Sequence, residues 1–132
     1  MWAIVINPVS GGGKGAMLGR EVAGYFSSRS LPYQVITATN ALKLQSILRD
    51  FLQSHRSECS GVIAVGGDGL AHLVIQQTTP LEIPFTVIPA GTGNDLVRAF
   101  GWPLTSIKGQ LDFVTNEVAR TIDLGLVDSE WF

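Results

Sequence analysis

Four short apolar runs, each followed by a loop and then by a segment with helical periodicity, limit the folds that this chain can adopt. The runs cover residues 2–7, 33–39, 61–65 and 85–88. Short strands that are apolar on both faces, separated by helices, are typical of a parallel sheet that is covered on both sides. The sequence therefore predicts an α/β fold, a three-layer α/β/α domain with a parallel sheet.

The segments between the runs have the three-to-four-residue spacing of amphipathic helices. The clearest covers residues 41–55, where Leu44, Leu48 and Leu52 recur on one face. Further elements are predicted as helices near residues 16–28, 70–78, 92–100 and 105–117 and as a strand at 119–127. In a sheet of this kind, ligands bind in the loops at the carboxyl ends of the strands.

Length and composition limit the compartment and the partners of this domain. A chain of 132 residues is the usual size of one domain. Its net charge is −2 and its nine basic residues are dispersed, so we expect no nucleic-acid partner and no polybasic membrane tether. No apolar stretch reaches the roughly 20 residues of a membrane-spanning helix, and the single cysteine, Cys59, has no partner for an intrachain disulfide. We therefore expect a soluble, cytoplasmic domain, in which any binding of an anion depends on local geometry more than on net charge.

The first glycine-rich loop follows the first apolar run at residues 7–15, with the sequence NPVSGGGKG. Glycines let backbone N–H groups approach a phosphate, and the N-terminus of a following helix adds partial positive charge. Lys14 would supply a mobile cation. The loop is not a P-loop, because the GxxxxGK(S/T) spacing is absent. It is not a GxGxxG loop either, because Ala16 stands where the third glycine is required. By itself, the loop is equally consistent with a flexible turn.

Two more loops place polar groups at the ends of later strands. The GGDG sequence at residues 66–69 sets Asp68 among three glycines. There its carboxylate is suited to hold Mg²⁺ or to accept a proton from an attacking hydroxyl, and a helix N-cap is the alternative role. The PAGTGND sequence at residues 89–95 offers Thr92, Asn94 and Asp95 at the start of another helix, with capping again as the alternative.

The three loops together resemble the catalytic domain shared by diacylglycerol kinases, sphingosine and ceramide kinases and related bacterial lipid kinases. The matching motifs are NPxSGxGKG, GGDG and PAGTGNDLxR, in the family's order and spacing. The resemblance implies a sheet domain of the NAD kinase and diacylglycerol kinase type at residues 1–125. It also implies that residues 126–132 begin a truncated second, β-rich domain. NAD kinases and phosphofructokinases share the GGDG element but not the third loop.

The same resemblance implies a reaction and a set of site residues. The reaction is transfer of the γ-phosphoryl of MgATP to a lipid hydroxyl, such as that of diacylglycerol, by a protein that reaches the membrane surface from the cytoplasm. ATP and Mg²⁺ are the implied cofactors, and a homodimer of the full-length protein is compatible with the family. The implied catalytic residue is Asp68, and the implied metal ligand is Asp95. Nucleotide and phosphate binding is implied for Asn7, Ser10, Gly11, Thr39, Gly66, Gly67, Asp68, Gly69 and Thr92.

Two departures from the family pattern bear on activity. Leu70 and Leu73 stand where the family usually has threonine and glutamate, and His72 replaces an asparagine. The chain also stops soon after residues 123–125, where the family continues into the domain that supplies a catalytic carboxylate, so we expect little or no kinase activity from these 132 residues alone. There are two alternatives to a lipid kinase. One is a non-catalytic nucleotide-binding or regulatory module, and the other is an NAD-type kinase with a soluble acceptor.

Overall fold

The computed structural model describes residues 1–90, 106–116, 119, 122 and 124–131. Within them, strands and helices alternate as the sequence predicts, and the α/β fold with a parallel sheet is confirmed. The helix expected at residues 92–100 lies outside the described part of the chain. The elements are β1 Trp2–Ile6, α1 Lys14–Ser28, β2 Tyr33–Ile36, α2 Ala41–Ser54, β3 Gly61–Gly66, α3 Asp68–Thr78, a 3₁₀ turn at Thr79–Leu81, β4 Phe85–Pro89, α4 Ile107–Asn116, β5 Leu126–Val127 and β6 Glu130–Trp131.

The four main strands form a parallel sheet in the order β2-β1-β3-β4. The chain crosses from β1 to β2 in one direction and from β2 through β3 to β4 in the other. Right-handed crossovers then require α1 on one face and both α2 and α3 on the opposite face. Phe26 of α1 accordingly packs in one buried cluster with Ile4 and Ile63. Leu48 of α2 and Val74 of α3 belong to the buried cluster on the other face.

Strand β3 lies at the centre of both buried clusters. All six of its residues are buried, and their side chains alternate between the two faces because a strand has a period of two. Val62 and Ala64 belong to the cluster beneath α2 and α3, whereas Ile63 and Val65 belong to the cluster beneath α1. Each buried branched side chain contributes about 1.5–3 kcal/mol. The loop that follows β3 therefore starts from the most firmly held strand of the sheet.

Helix α4 packs on the same face as α1 and is joined to it by a polar cluster. Tyr25 of α1 donates its hydroxyl to Asp112 Oδ1 at 2.7 Å, and Lys108 Nζ donates to Asp112 Oδ2 at 2.6 Å. The hydrogen bonds from Lys108 and then from Tyr25 lower the pKa of Asp112. Leu111 is fully buried beneath them. These contacts hold α4 against α1 on one side of the sheet.

Two strands are shorter than the sequence predicts by more than one residue. Strand β2 ends at Ile36 instead of at residue 39, because the hydroxyl of Thr37 donates to the carbonyl of Ile6 at 3.2 Å just beyond the last parallel pair. Of the described residues between 119 and 127, Leu126–Val127 alone are strand. Their partner, β6, offers only two residues for antiparallel pairing.

Candidate functional site

The neighbouring strands β1 and β3 are where the sheet reverses its direction of winding. The chain leaves β1 toward β2 on one side and leaves β3 toward β4 on the other, so the two loops diverge at the carboxyl edge. The amide of Asn7 still donates to the carbonyl of Val65 at 3.1 Å, which keeps the loops adjacent where they begin. In open α/β sheets, this switch point forms the crevice in which ligands bind.

The loop after β1 presents backbone N–H groups at the start of α1. Gly11, Gly12 and Gly13 have φ values of +61°, +69° and +98°, and any other L-residue would lose about 1–2 kcal/mol in such a left-handed conformation. The rest of the loop is internally hydrogen bonded: Asn7 Oδ1 accepts from the amide of Val9 at 3.3 Å. Within the described residues, the amides of the three glycines donate to no protein acceptor. They are therefore available to an anion at a helix N-terminus.

The backbone of Ser10 makes two hydrogen bonds within the same loop. Its amide donates to the carbonyl of Asn7 at 3.2 Å, and its carbonyl accepts from the amide of Gly15 at 2.9 Å. Asn7 and Ser10 thus both shape the loop by hydrogen bonding to its backbone. Direct contact of either side chain with a nucleotide stays a prediction.

The end of β4 contacts both the loop after β1 and the end of β3. A Cβ placed on Gly11 would lie 2.0 Å from the carbonyl oxygen of Ala90, so no side chain fits at this position. The amide of Ala90 in turn donates to the carbonyl of Gly66 at 2.9 Å. The first loop, the end of β3 and the start of the PAGTGND loop therefore meet at one edge of the sheet.

Two glycines that the sequence analysis did not single out bring α1 close to β1. A Cβ on Gly15 would lie 2.0 Å from the carbonyl oxygen of Asn7, and one on Gly19 would lie 2.5 Å from Ile6 Cδ1. Close helix–strand packing is the task of the third glycine in a GxGxxG loop. Here Gly15, one residue before Ala16, performs it. The available signal was a pair of glycines four residues apart on the apolar face of the helix.

The GGDG loop turns directly from β3 into α3. Gly66 is the last strand residue, Gly67 is the N-cap, and Asp68 and Gly69 are the first two helical residues. The N-cap alternative for Asp68 is therefore wrong, because Gly67 holds that position. The exposed carboxylate of Asp68 lies in the first turn, where the helix dipole favours negative charge. The amide of Gly69 has no acceptor within the helix at this position and points to the same end.

The two leucines that depart from the family pattern belong to the hydrophobic core. Leu70 is 7% exposed and packs so closely on the end of β3 that a Cβ on Gly66 would lie 2.8 Å from Leu70 Cδ2. Leu73 is partly buried against the same cluster. His72 points elsewhere, with its Nε2 atom 3.6 Å from Glu130 Oε2. Apolar packing by Leu70 thus fixes the first turn of α3 beneath Asp68.

Three predicted site residues remain, namely Thr39, Thr92 and Asp95. Thr39 is exposed and lies beyond the end of β2, at the carboxyl edge but one strand further out than β1 and β3. Thr92 and the predicted metal ligand, Asp95, lie outside the described residues. Across residues 1–90 and the later described segments, no three His, Cys, Asp or Glu side chains cluster as a metal cage. Mg²⁺ needs only one or two carboxylates when phosphates and water complete its shell, and Asp68 fits that requirement.

A parallel sheet that winds both ways from β1, with glycine loops at the switch point, defines an open α/β domain with a ligand-binding crevice at its carboxyl edge. The chain belongs to the diacylglycerol kinase catalytic domain family, whose model matches residues 1–127. None of the helices within the described residues combines the length and the apolar character that a membrane crossing requires.

Relatives agree with this family assignment, and a solved structure agrees with the fold. The chain is 40% identical over 114 residues to a diacylglycerol kinase of Bacillus subtilis, a match that covers 85% of this chain and 35% of the relative. It is 30% identical over 131 residues to a diacylglycerol kinase of Mycobacterium tuberculosis, covering 96% of this chain and 41% of the relative. A crystal structure of a diacylglycerol kinase from Bacillus anthracis superposes with a TM-score of 0.75 at 24% identity, over 99% of this chain and 45% of that one. The chain thus spans less than half the length of these relatives.

Proposed function

We propose that this chain is the ATP-binding domain of a lipid kinase, which transfers the γ-phosphoryl of MgATP to a lipid hydroxyl such as that of diacylglycerol. One observation carries the proposal. Three consecutive glycine amides without a protein acceptor in the described chain lie at the start of α1, beside the loop that holds Asp68. The family and the names of the relatives favour diacylglycerol as the acceptor.

Nucleotide phosphates would be bound mainly by the backbone. The amides of residues 11–13 lie in the loop that leads into α1, and the amide of Gly69 lies in the first turn of α3. Both helix N-termini are at the carboxyl edge of the sheet, and each adds partial positive charge. Lys14, the exposed first residue of α1, would add a full positive charge. This arrangement explains how a chain with a net charge of −2 can bind a polyanion.

Asp68 is the residue that we assign to the chemistry. Its carboxylate would bind Mg²⁺, directly or through water, and bound Mg²⁺ would neutralise charge on the phosphates. In the transfer, the lipid hydroxyl oxygen forms a bond to the γ-phosphorus, the bond to the β–γ bridging oxygen breaks, and ADP leaves with that electron pair. The hydroxyl proton passes to a carboxylate, either Asp68 or one in the part of the protein beyond this chain. The protein's contribution is positioning and charge stabilisation.

A second candidate, a non-catalytic nucleotide-binding module, is favoured by Leu70 and Leu73. Both side chains pack in or against the core, where the family pattern has polar groups. Leucine offers no ligand for Mg²⁺ or for a ribose hydroxyl. If this candidate holds, the complete protein binds MgATP and does not turn it over.

The test uses the complete protein with radiolabelled ATP and three acceptors: diacylglycerol in mixed micelles, sphingosine and NAD. We expect labelled lipid with diacylglycerol, and loss of the label in the Asp68→Asn variant. Labelling of NAD alone would replace the proposal with a soluble-acceptor kinase. Binding of MgATP without any labelled product would establish the non-catalytic module. For the 132-residue chain itself, we expect MgATP binding with little or no transfer.

A further inference from the structure

The short hairpin near the end of the chain exposes one edge toward α3. Its strands β5 and β6 pair Val127 with Glu130 and Leu126 with Trp131. The two turn residues, Asp128 and Ser129, have φ values of +48° and +67°, the pattern of a type I′ turn. In such a two-residue hairpin, the pair next to the turn is hydrogen bonded. The following pair therefore directs its N–H and C=O groups outward.

The outward groups of Trp131 are both bound by one side chain of α3. Gln76 Nε2 donates to the carbonyl oxygen of Trp131 at 2.6 Å, and the amide of Trp131 donates to Gln76 Oε1 at 2.9 Å. A carboxamide offers one acceptor and a donor in the same plane, so it pairs with this residue as a third strand would. The two bonds also fix which atom of the carboxamide is oxygen, because the reversed orientation would set donor against donor and acceptor against acceptor.

A second contact lies one turn earlier on the same helix. His72 Nε2 is 3.6 Å from Glu130 Oε2 and 3.4 Å from Gln76 Nε2. The side chains of His72 and Glu130 are 40% and 62% exposed, so their attraction is weak in water. Gln76 is therefore the principal attachment of the hairpin to α3.

We propose that Gln76 is a positioning residue, which fixes the chain after residue 125 relative to the helix that begins at Asp68. Residues 68 and 76 lie about 12 Å apart along one straight helix. A shift of α3 on nucleotide binding is then carried by the Gln76 carboxamide to β6. This inference rests on the proposed function, because Asp68 is its nucleotide end.

The first test measures hydrogen exchange at the Trp131 amide in this chain. In Gln76→Ala, we expect this amide to exchange at least about tenfold faster, because its acceptor is gone and the hairpin opens locally. Gln77→Ala is the matched control, with the same residue type one position later in α3 and a side chain that makes no hydrogen bond to the described residues. Alanine is the better helix former, so neither change should melt α3. Unchanged exchange in Gln76→Ala, or equal acceleration in both variants, would overturn the attachment.

The second test asks whether nucleotide binding reaches the hairpin. Adding MgATP to the unmodified chain should change the exchange rate and the chemical shift of the Trp131 amide, and Gln76→Ala should abolish these changes while retaining MgATP affinity. Binding without any response at Trp131 overturns the coupling and leaves the proposed function intact. Absence of binding overturns both the nucleotide site and the coupling, although the exchange experiment would still report the attachment.

The third test uses the complete protein and separates positioning from binding. Gln76→Ala should lower kcat by about tenfold or more, as misplacing a catalytic group by a fraction of an ångström does, with a nearly unchanged KM for ATP. Gln77→Ala should change neither constant. A rise in KM with unchanged kcat in Gln76→Ala would show that the residue supports only the nucleotide loop and would refute the positioning role.

Discussion

Replacing Gly11 with alanine is expected to damage the phosphate site through one identifiable contact. The new Cβ would lie 2.0 Å from the carbonyl oxygen of Ala90, whereas real Cβ atoms stay at least 3.0 Å from such an atom. The end of β4 is held by the sheet and by its bond to Gly66, so the loop has to move by about 1 Å, because close-packed interiors yield little. A movement of that size would break the hydrogen bond from a loop amide to a phosphate that the proposed site requires.

The expected loss can be stated as a change in affinity. A hydrogen bond to a charged group contributes about 1.5–3 kcal/mol. Since about 1.4 kcal/mol corresponds to tenfold in Kd, Gly11→Ala should weaken MgATP binding about 10- to 100-fold. Isothermal titration of this chain measures that change. Urea unfolding measures the separate cost of a left-handed alanine, about 1–2 kcal/mol.

Gly12→Ala is the matched control for this experiment. Gly12 has nearly the same backbone conformation, with φ +69°, but a Cβ there has nothing within 4 Å. Both variants therefore carry the same conformational cost, and only Gly11→Ala carries the clash. We expect Gly12→Ala to bind MgATP within about threefold of the unmodified chain, well under 1.4 kcal/mol. Equal weakening in both variants, or no weakening in Gly11→Ala, would refute the reasoning.

Three further perturbations address the site and its supports. Asp68→Asn in the complete protein should reduce turnover by about 100-fold or more while shifting stability by no more than about 1 kcal/mol, the usual size of a helix-dipole interaction; retained turnover would remove Asp68 from the mechanism. Leu70→Ala should destabilise this chain by about 2–5 kcal/mol in urea unfolding, as for other buried leucines, and a cost near zero would show that Leu70 does not pack as described. Since the hydrogen bonds from Lys108 and Tyr25 lower the pKa of Asp112, its contribution to stability is complete above its ordinary pKa of 3.8 and is lost as the pH falls through the lowered value. Unfolding of Asp112→Asn should therefore depend less on pH in the acid range than that of the unmodified chain, and identical profiles would contradict this contact.

The sheet and the position of the candidate site's loops could be predicted from the sequence because both depend on local patterns. Apolar runs flanked by glycines indicate buried parallel strands, and the carboxyl ends of such strands share one edge. The placement of Gly11 and of the GGDG loop follows from that rule. The roles of Gly15 and Leu70 were less accessible, because they depend on how closely a helix approaches a strand.

The contacts of Gln76 could not have been predicted from local sequence. It pairs with Trp131, 55 residues later, and an isolated glutamine on a helix gives no indication of such a partner. The early end of β2 has a similar cause, since the hydroxyl of Thr37 bonds to Ile6, 31 residues away. Side chains that replace a strand's backbone partner are determined by the assembled fold.

Amide chemical-shift mapping with MgATP tests the central claim most directly. The account predicts that the largest shifts fall on residues 10–15 and 66–70, at the carboxyl edge of the sheet. Residues 58–61, which lie at the opposite edge where β3 begins, should shift little. Shifts concentrated at that opposite edge, or no saturable shifts at millimolar MgATP, would contradict the assignment of a nucleotide site to these loops.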